Sequence, residues 1–167
     1  MKYGISNLST LPIRKEPSHR SELVSQLLFG ETYNVLDSTD SWLHIKCSYD
    51  DYEGWIDSSQ HHDLSEKDLN FILNNGYGVA FDLVCSASSS QHSIPVLAGS
   101  SLPLFDGLNF KIGKEKFIYN GQAVPHDSKS ASMLERVALR FLNAPYLWGG
   151  RSPFGIDCSG FTQIVFK

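Results

Sequence analysis

Short apolar segments separated by polar turns fill residues 9–60, and this pattern constrains the fold more than any other feature of the sequence. Within it, residues 42–48 alternate strictly, with Leu43, Ile45 and Cys47 on one side and polar or amphipathic side chains on the other. Strict alternation is typical of a strand with one buried face. Several such segments at hairpin spacing predict a small antiparallel β-barrel.

A short helix and a second set of strands are predicted after this barrel. Ser65, with Asp68 three residues later, predicts a helix N-cap, and Asn75-Gly76 predicts a left-handed helix end. Residues 79–85 predict one strand, and further short strands separated by Gly and Asn turns follow up to residue 124. We expect these strands to form a second, less regular barrel.

A longer helix is predicted in the last quarter of the chain. Apolar residues recur at helical spacing from Leu134 to Leu142, and Ser132 with Glu135 forms a predicted capping box at its start. Pro145 is expected to end this helix, because proline disfavours the helical conformation in the residue before it.

Composition excludes several functional classes. Hydrophobic residues make up 41% and charged residues 19%, which fits a globular chain. The longest apolar runs are far shorter than the roughly 20 residues of a membrane span. The net charge of −4, with scattered Lys and Arg, lacks the basic footprint of a nucleic-acid-binding protein. We therefore expect neither nucleic acid nor membrane as a partner, and the absence of a signal peptide predicts a cytoplasmic location unless an export segment was removed.

Neither a disulfide framework nor a metal site is predicted. The three cysteines have no short pairing spacing, and Cys47 and Cys85 fall in apolar-alternating strands, where we expect them to be packed. His61 and His62 are adjacent without a Cys or acidic cluster to complete a ligand shell, so a solvated pair is expected. The sequence thus predicts no cofactor.

The last 23 residues carry most of the functional signal. A Gly-rich loop, Tyr146-Leu-Trp-Gly-Gly-Arg-Ser-Pro-Phe-Gly-Ile, leads to Asp157, which can cap a helix whose first turn holds Cys158. The positive end of a helix dipole favours the thiolate, which is the nucleophilic form of cysteine. Free amides of the same turn can receive the oxyanion that develops on an attacked carbonyl. A histidine must still accept the proton.

The segment from Tyr146 through Asp157-Cys158-Ser159-Gly-Phe161 resembles the nucleophile segment of the NlpC-type cell-wall cysteine peptidases of the papain-like superfamily. The earlier segments Gly-Glu-Thr-Tyr-Asn-Val-Leu, Trp-Leu-His-Ile-Lys and Tyr-Glu-Gly-Trp-Ile are similar to bacterial SH3-like domains. The resemblance implies a mainly β fold with an α+β end. Its expected units are a first SH3-like barrel (1–62), a linker helix with a second barrel (63–126) and the start of an NlpC-type domain (127–167).

The resemblance also implies a reaction and a set of site residues. Proteins built in this way are similar to γ-D-glutamyl-L-diamino-acid endopeptidases, which cut small peptidoglycan peptides with a free amino-terminal L-Ala, and their first barrel narrows the site. Cys158 would be the nucleophile. The residues expected to bind the peptide are Asp157, Ser159, Glu22, Tyr52, Tyr146 and Arg151. Asp157 can pair with an ammonium group or act only as a helix cap, and Arg151 is a candidate for substrate carboxylates.

The sequence departs from that family in one respect. All six histidines precede Cys158, whereas the family's base histidine follows the nucleophile on a later strand. We therefore expect this chain to be a fragment that is inactive alone, with an exposed apolar face on its last helix. Two alternatives stay open: another papain-like acyl transfer, by an amidase or an acyltransferase, and a non-catalytic SH3-like module that binds a wall component or a partner. The oligomeric state is not predicted.

Overall fold

The computed structural model describes residues 2–127 and 130–167. Ser128 and Lys129, which belong to the predicted joint between the second and third units, lie outside the described residues. The chain is mostly β, with helices concentrated near its carboxy-terminal end. Among the described residues, no helix has both the length and the apolar character needed to cross a bilayer.

The first unit is a seven-stranded antiparallel sheet with the strand order β3-β2-β6-β5-β4-β1-β7. Its strands are β1 (Lys2–Ile5), β2 (Thr10–Arg14), β3 (Leu23–Leu28), β4 (Thr32–Ser38), β5 (Trp42–Cys47), β6 (Glu53–Asp57) and β7 (Asp63–Leu64). A short 3-10 turn, Ser58–Gln60, connects the last two. A register shift in the β2–β3 pair and another in the β4–β5 pair bend the sheet around its core.

The predicted alternation of β5 is confirmed on its inner face. Leu43, Ile45 and Cys47 are buried in one cluster with Leu11 and Tyr33 from neighbouring strands. Burial raises the pKa of the Cys47 thiol, so this cysteine stays protonated and packed. Period-two spacing therefore identified the core of the first unit correctly.

The second unit contains helix α1 and seven strands in two sheets. Its elements are α1 (Glu66–Asn75), β8 (Tyr77–Ala80), β9 (Val84–Ser88), β10 (Ser93–Leu97), β11 (Ser101–Pro103), β12 (Asn109–Ile112), β13 (Glu115–Tyr119) and β14 (Ala123–Pro125). The sheets have the orders β10-β9-β13-β12 and β11-β8-β14. Ser65 caps α1 through the Asp68 amide, as predicted. The single strand expected over residues 79–85 is wrong, because the chain breaks between β8 and β9, where Asp82 accepts a hydrogen bond from the Gln122 amide at 2.6 Å.

The two β units share one hydrophobic core. Ile5 and Phe29 of the first unit pack in the same cluster as Leu102, Phe110 and Phe117 of the second. The ring of Phe29 lies edge-on to both phenylalanine rings of the second unit, at centroid distances of 5.6 and 6.0 Å. A shared core holds the two units in a fixed relation. The unit boundaries themselves stay predictions.

Helix α2 (Ala131–Arg140) is capped by Ser130, whose hydroxyl oxygen accepts a hydrogen bond from the Met133 amide. The prediction that Ser132 caps this helix is therefore wrong by two residues. The helix also ends at Arg140, before Pro145, with Asn143 in a left-handed conformation. Two serines two positions apart satisfy the same capping preference, so spacing alone could not choose between them.

The final elements are the short hairpin β15 (Arg151–Ser152) with β16 (Gly155–Ile156), and helix α3 (Cys158–Phe166). Ile164 of α3 is buried against Leu28 of the first unit and Ala98 of the second, in one cluster with Phe141. The expected exposed face is therefore confined to the helix end, where Phe166 is 60% exposed. Packing against both β units fixes the orientation of α3 and of the loop before it.

Candidate active site

Cys158 is the first residue of α3, and its side chain is exposed. Asp157 precedes it as the helix N-cap, with one carboxylate oxygen accepting a hydrogen bond from the Gly160 amide at 2.7 Å. The first amides of a helix have no acceptor within the helix, so the Cys158 amide can serve as an oxyanion donor. The Gly160 amide cannot serve in the same way, because Asp157 occupies it.

The carboxylate of Asp157 is held by several donors. Besides the Gly160 amide, Oδ1 accepts from the Ser159 hydroxyl at 2.8 Å, and Oδ2 accepts from the Gly149 amide at 2.8 Å. Partial burial opposes ionisation, but these hydrogen bonds outweigh it and hold the pKa of Asp157 below its usual range. Asp157 is therefore a carboxylate at neutral pH, directly beside the nucleophile.

Gly149 lets the nucleophile loop touch the first β unit. It has a φ of +72°, and a Cβ at this position would lie 2.4 Å from the backbone oxygen of Leu23 in β3. Only glycine tolerates both the left-handed conformation and the close approach. This contact brings the loop alongside the residues at the start of β3, including Glu22.

All seven residues predicted for the site line one cavity of about 210 Å³. They are Glu22, Tyr52, Tyr146, Arg151, Asp157, Cys158 and Ser159. The first barrel contributes Glu22 and Tyr52, and the loop and α3 contribute the rest. Partial burial and the nearby carboxylates of Glu22, Asp50 and Asp157 raise the pKa of Tyr52, so its hydroxyl is neutral at physiological pH.

Arg151 lines the cavity but is not free to bind a substrate carboxylate. Its guanidinium is 2% exposed, and its two terminal nitrogens each lie 3.0 Å from a different carboxylate oxygen of Glu31. The Nη1 atom also donates to the backbone oxygen of Gln26 at 2.6 Å. The predicted role of Arg151 in substrate binding is therefore wrong, because its guanidinium group is already bonded to Glu31 and Gln26 of the first β unit.

Trp148 connects the nucleophile loop to Glu22. Its Nε1 atom donates to Glu22 Oε1 at 2.8 Å, while Lys15 lies 3.4 Å from Glu22 Oε2. The indole is 61% exposed, so Trp148 is not a core residue. It lines the cavity and fixes the position of the Glu22 carboxylate.

The cavity is negatively charged. Its lining includes the carboxylates of Glu22 and Asp157, and its one cationic side chain, Arg151, is neutralised by Glu31. None of the described lining residues is a histidine or a lysine. A cavity of this charge favours a cationic group such as an ammonium.

The histidine pair lies in the first unit. The expectation of a solvated pair is wrong for His61, whose side chain is 6% exposed between the Tyr33 hydroxyl and the Asp63 carboxylate, each at 3.0 Å. Throughout the described ranges, no three His, Cys, Asp or Glu side chains are grouped so as to hold a metal ion.

Gln163 is a polar lining residue that the sequence analysis did not identify. Gln163 of α3 reaches the cavity, and its amide nitrogen donates to Asp50 of the first unit at 3.0 Å. A signal was present, because Gln163 is the single side-chain amide in the otherwise mostly apolar α3 segment. Its partner could not be predicted, since Asp50 lies 113 residues earlier.

Two family models match the chain. Residues 13–60 match the bacterial dipeptidyl-peptidase Sh3 domain, and residues 143–167 match the NlpC/P60 family. The second match contains the whole nucleophile loop and α3, including Cys158. The carboxy-terminal segment of the chain is thus similar to the NlpC/P60 family. The cavity lies between this segment and the segment that matches the Sh3 domain.

Curated relatives extend the similarity over nearly the whole chain. A γ-D-glutamyl-L-lysine dipeptidyl-peptidase of Bacillus cereus is 24% identical over 172 residues, covering 90% of this chain and 51% of the relative. The protein of the same name from Bacillus subtilis is 29% identical over 167 residues, covering 86% of this chain and 52% of the relative. The chain therefore spans about half the length of these two relatives.

Solved structures show the same fold. The crystal structure of an NlpC/P60 family protein from Bacillus cereus superposes with a TM-score of 0.79 at 18% identity, covering 98% of this chain and 71% of that one. An NlpC/P60 endopeptidase from Photobacterium damselae superposes with a TM-score of 0.71 at 16% identity, covering 99% of this chain and 42% of that one. The chain therefore has the same fold as the matching parts of these two NlpC/P60 proteins.

Proposed function

We propose that this chain carries the nucleophile and the amine-binding part of a cysteine peptidase that cleaves γ-D-glutamyl-L-diamino-acid bonds in small peptidoglycan peptides. The single observation that carries the proposal is the shared cavity, in which Cys158 stands beside the ionised Asp157 and faces Glu22 and Tyr52 from the first barrel. The names of the two Bacillus relatives support the same bond type.

The chemistry follows from the positions of these groups. The Cys158 thiolate attacks the carbonyl carbon of the γ-D-glutamyl amide, and the Cys158 backbone amide stabilises the resulting oxyanion. The C–N bond then breaks, and the leaving nitrogen takes up the proton that was released when the Cys158 thiol ionised. The diamino acid departs as the free amine, and a thioester remains on Cys158. Water hydrolyses the thioester, which releases the L-Ala-γ-D-Glu product and regenerates the thiol.

A free amino terminus is recognised by charge. An ammonium group on L-Ala can bind Asp157 Oδ2, which accepts only the Gly149 amide among the described residues and keeps a second lone pair. Glu22 adds a second carboxylate to the same cavity, while the neutral Tyr52 closes it from the barrel side. Because the ammonium fixes the amino end, the distance to the scissile bond is set by two residues of peptide.

Binding is tested on residues 1–167 by calorimetric titration with L-Ala-γ-D-Glu-L-Lys and with its N-acetylated form. A charge-assisted hydrogen bond contributes about 1.5–3 kcal/mol, so we expect the acetylated peptide to bind at least about tenfold more weakly. Equal affinities would contradict amine recognition and leave the amidase, acyltransferase or binding-module alternatives.

Turnover requires a proton acceptor, and no histidine of the described chain lines the cavity. We therefore expect no release of L-Lys from residues 1–167 alone. A fusion that adds the histidine-bearing sheet of an NlpC/P60 relative after Lys167 is expected to release L-Lys, and Cys158→Ser in that fusion should abolish it. Persistent release by the serine variant would refute the role of Cys158. The proposed setting, recycling of wall peptides in the cytoplasm, stays a prediction.

A further inference from the structure

The loop of residues 49–52 carries Tyr52 from the first β unit to the cavity that holds Cys158. It joins β5 to β6, and Asp51 within it adopts a left-handed conformation with a φ of 58°. Tyr52 is 39% exposed, so little packing holds it in place. Exposed loops with few buried contacts open easily, and the position of Tyr52 therefore depends on specific hydrogen bonds.

The Cys47 amide donates to the Tyr52 backbone oxygen at 2.8 Å, and Gln163 ties the rest of the loop to α3. Its Nε2 atom donates to Asp50 Oδ2 at 3.0 Å, and its backbone oxygen accepts from the Tyr49 hydroxyl at 3.3 Å. The other carboxylate oxygen, Asp50 Oδ1, accepts from the Tyr52 amide at 3.2 Å. The Asp50 carboxylate thus connects the helix that begins with the nucleophile to the backbone of Tyr52.

The side-chain oxygen of Gln163 indicates that packing alone does not explain why a glutamine occupies this position. Its Oε1 atom is buried and has no hydrogen-bond partner in the part of the chain that the structure describes. An unpaired buried acceptor destabilises a fold, whereas an aliphatic side chain at the same place would not. The bond to Asp50 is therefore the feature that distinguishes glutamine from an apolar residue here.

We propose that Gln163 is a positioning residue that acts through Asp50: it fixes the 49–52 loop so that Tyr52 closes the amine-binding end of the cavity and excludes peptides with a blocked amino end. This inference rests on the proposed function, because it assigns Gln163 to the selection of that same substrate class. Gln163 itself touches neither the nucleophile nor the reacting carbonyl.

The test measures selectivity rather than stability. The affinities of L-Ala-γ-D-Glu-L-Lys and its N-acetylated form are compared for Gln163→Met and Asp50→Leu, each of which removes the side-chain bond between Gln163 and Asp50. We expect the ratio of the two affinities to fall about tenfold in each variant. The double variant should lose no more than Asp50→Leu alone, because Gln163 acts through Asp50. Gln91→Met, on an exposed loop, is the matched control and should keep the ratio.

Asp50→Asn provides a rescue that a merely structural role would not predict. The asparagine can keep its oxygen on the Tyr52 amide. Its NH₂ group then takes the place of Asp50 Oδ2 and can donate to Gln163 Oε1 once the Gln163 amide has turned over to exchange its oxygen and nitrogen. We expect this variant to keep most of the selectivity that Asp50→Leu loses.

The outcomes separate the inference from the proposed function. If the unaltered chain binds both peptides equally, the proposed function fails. If it discriminates, and Gln163→Met and Asp50→Leu keep the full ratio or weaken both peptides equally, the inference is overturned while the proposed function stands. Melting curves accompany each titration, and if Gln163→Met does not fold, Asp50→Leu on the exposed loop decides the question.

Discussion

A buried triad of charges joins the first β unit to the nucleophile segment, and its removal gives the sharpest test of the fold. Glu31, at the turn between β3 and β4, contacts Arg151 of β15 at 3.0 Å and Lys167, after α3, at 2.5 Å. The three side chains are only 1–3% exposed. Glu31→Gln removes the negative charge, keeps the side-chain shape and retains an acceptor for the Leu28 amide.

The expected loss is large, because two cations would remain buried without an anion. Removing one partner of a buried ion pair destabilises a protein by about 3–5 kcal/mol. The pKa of Glu31 leads to a similar figure. Burial alone would raise it, but Arg151 and Lys167 overcome that effect and lower it from 4.5 to about 2. At about 1.4 kcal/mol for each pH unit, this corresponds to about 3 kcal/mol in favour of the charged form.

The assay is urea unfolding of both proteins at several pH values. The free energy of unfolding falls by about 2 kcal/mol for each 1 M of urea. A loss of about 3–5 kcal/mol therefore lowers the urea concentration at the unfolding midpoint by about 2 M. Because the folded pKa lies below the unfolded one, the stabilisation is fully present above pH 4.5 and is lost as the pH falls towards about 2. The difference between the two proteins should therefore shrink over that interval.

Lys167→Met is the matched control. It leaves Glu31 paired with Arg151 alone, one anion against one cation, so we expect it to change the unfolding free energy by no more than about 1 kcal/mol. A loss below about 1 kcal/mol in Glu31→Gln, the range of exposed ion pairs, would refute the reasoning. So would a difference that does not depend on pH.

Three further predictions concern the helix ends and the nucleophile. Iodoacetamide should label Cys158 rapidly and the buried Cys47 only on unfolding, as peptide mass mapping over time would show; equal rates would contradict the described exposures. Ser130→Ala should lower the thermal stability by about 1 kcal/mol, whereas Ser132→Ala should change it little, and the reverse order would place the cap of α2 at Ser132. Asp157→Ala should lower the free energy of unfolding, measured in urea, by about 0.5–2 kcal/mol. Asp157→Asn should keep most of that stability, because asparagine also caps helices, and an equal loss in both variants would show that the charge rather than the cap stabilises α3.

Local spacing was sufficient for two of the three α-helix caps in the described residues, in which a hydrogen bond joins near neighbours in sequence. Ser65 was predicted and found as the cap of α1, and Asp157 as the cap of α3 with Cys158 directly after it. Each cap bond joins residues three positions apart, so the local pattern contains the whole interaction. Spacing failed where contacts between distant residues determine the structure. The Gln122 amide donates a hydrogen bond to Asp82, and the strand expected over residues 79–85 is interrupted there.

The sequence by itself determined the position of Cys158 at a helix start and the alternating core of the first unit. The tertiary structure decided what surrounds Cys158. Glu22 and Tyr52, which only the family resemblance had suggested, reach the cavity from more than 100 residues away, and the Arg151 guanidinium pairs with Glu31. The physical reason is that capping and strand periodicity act over a few residues. The shape and charge of a cavity depend instead on how separate sheets pack, and the order of residues along the chain does not specify that packing.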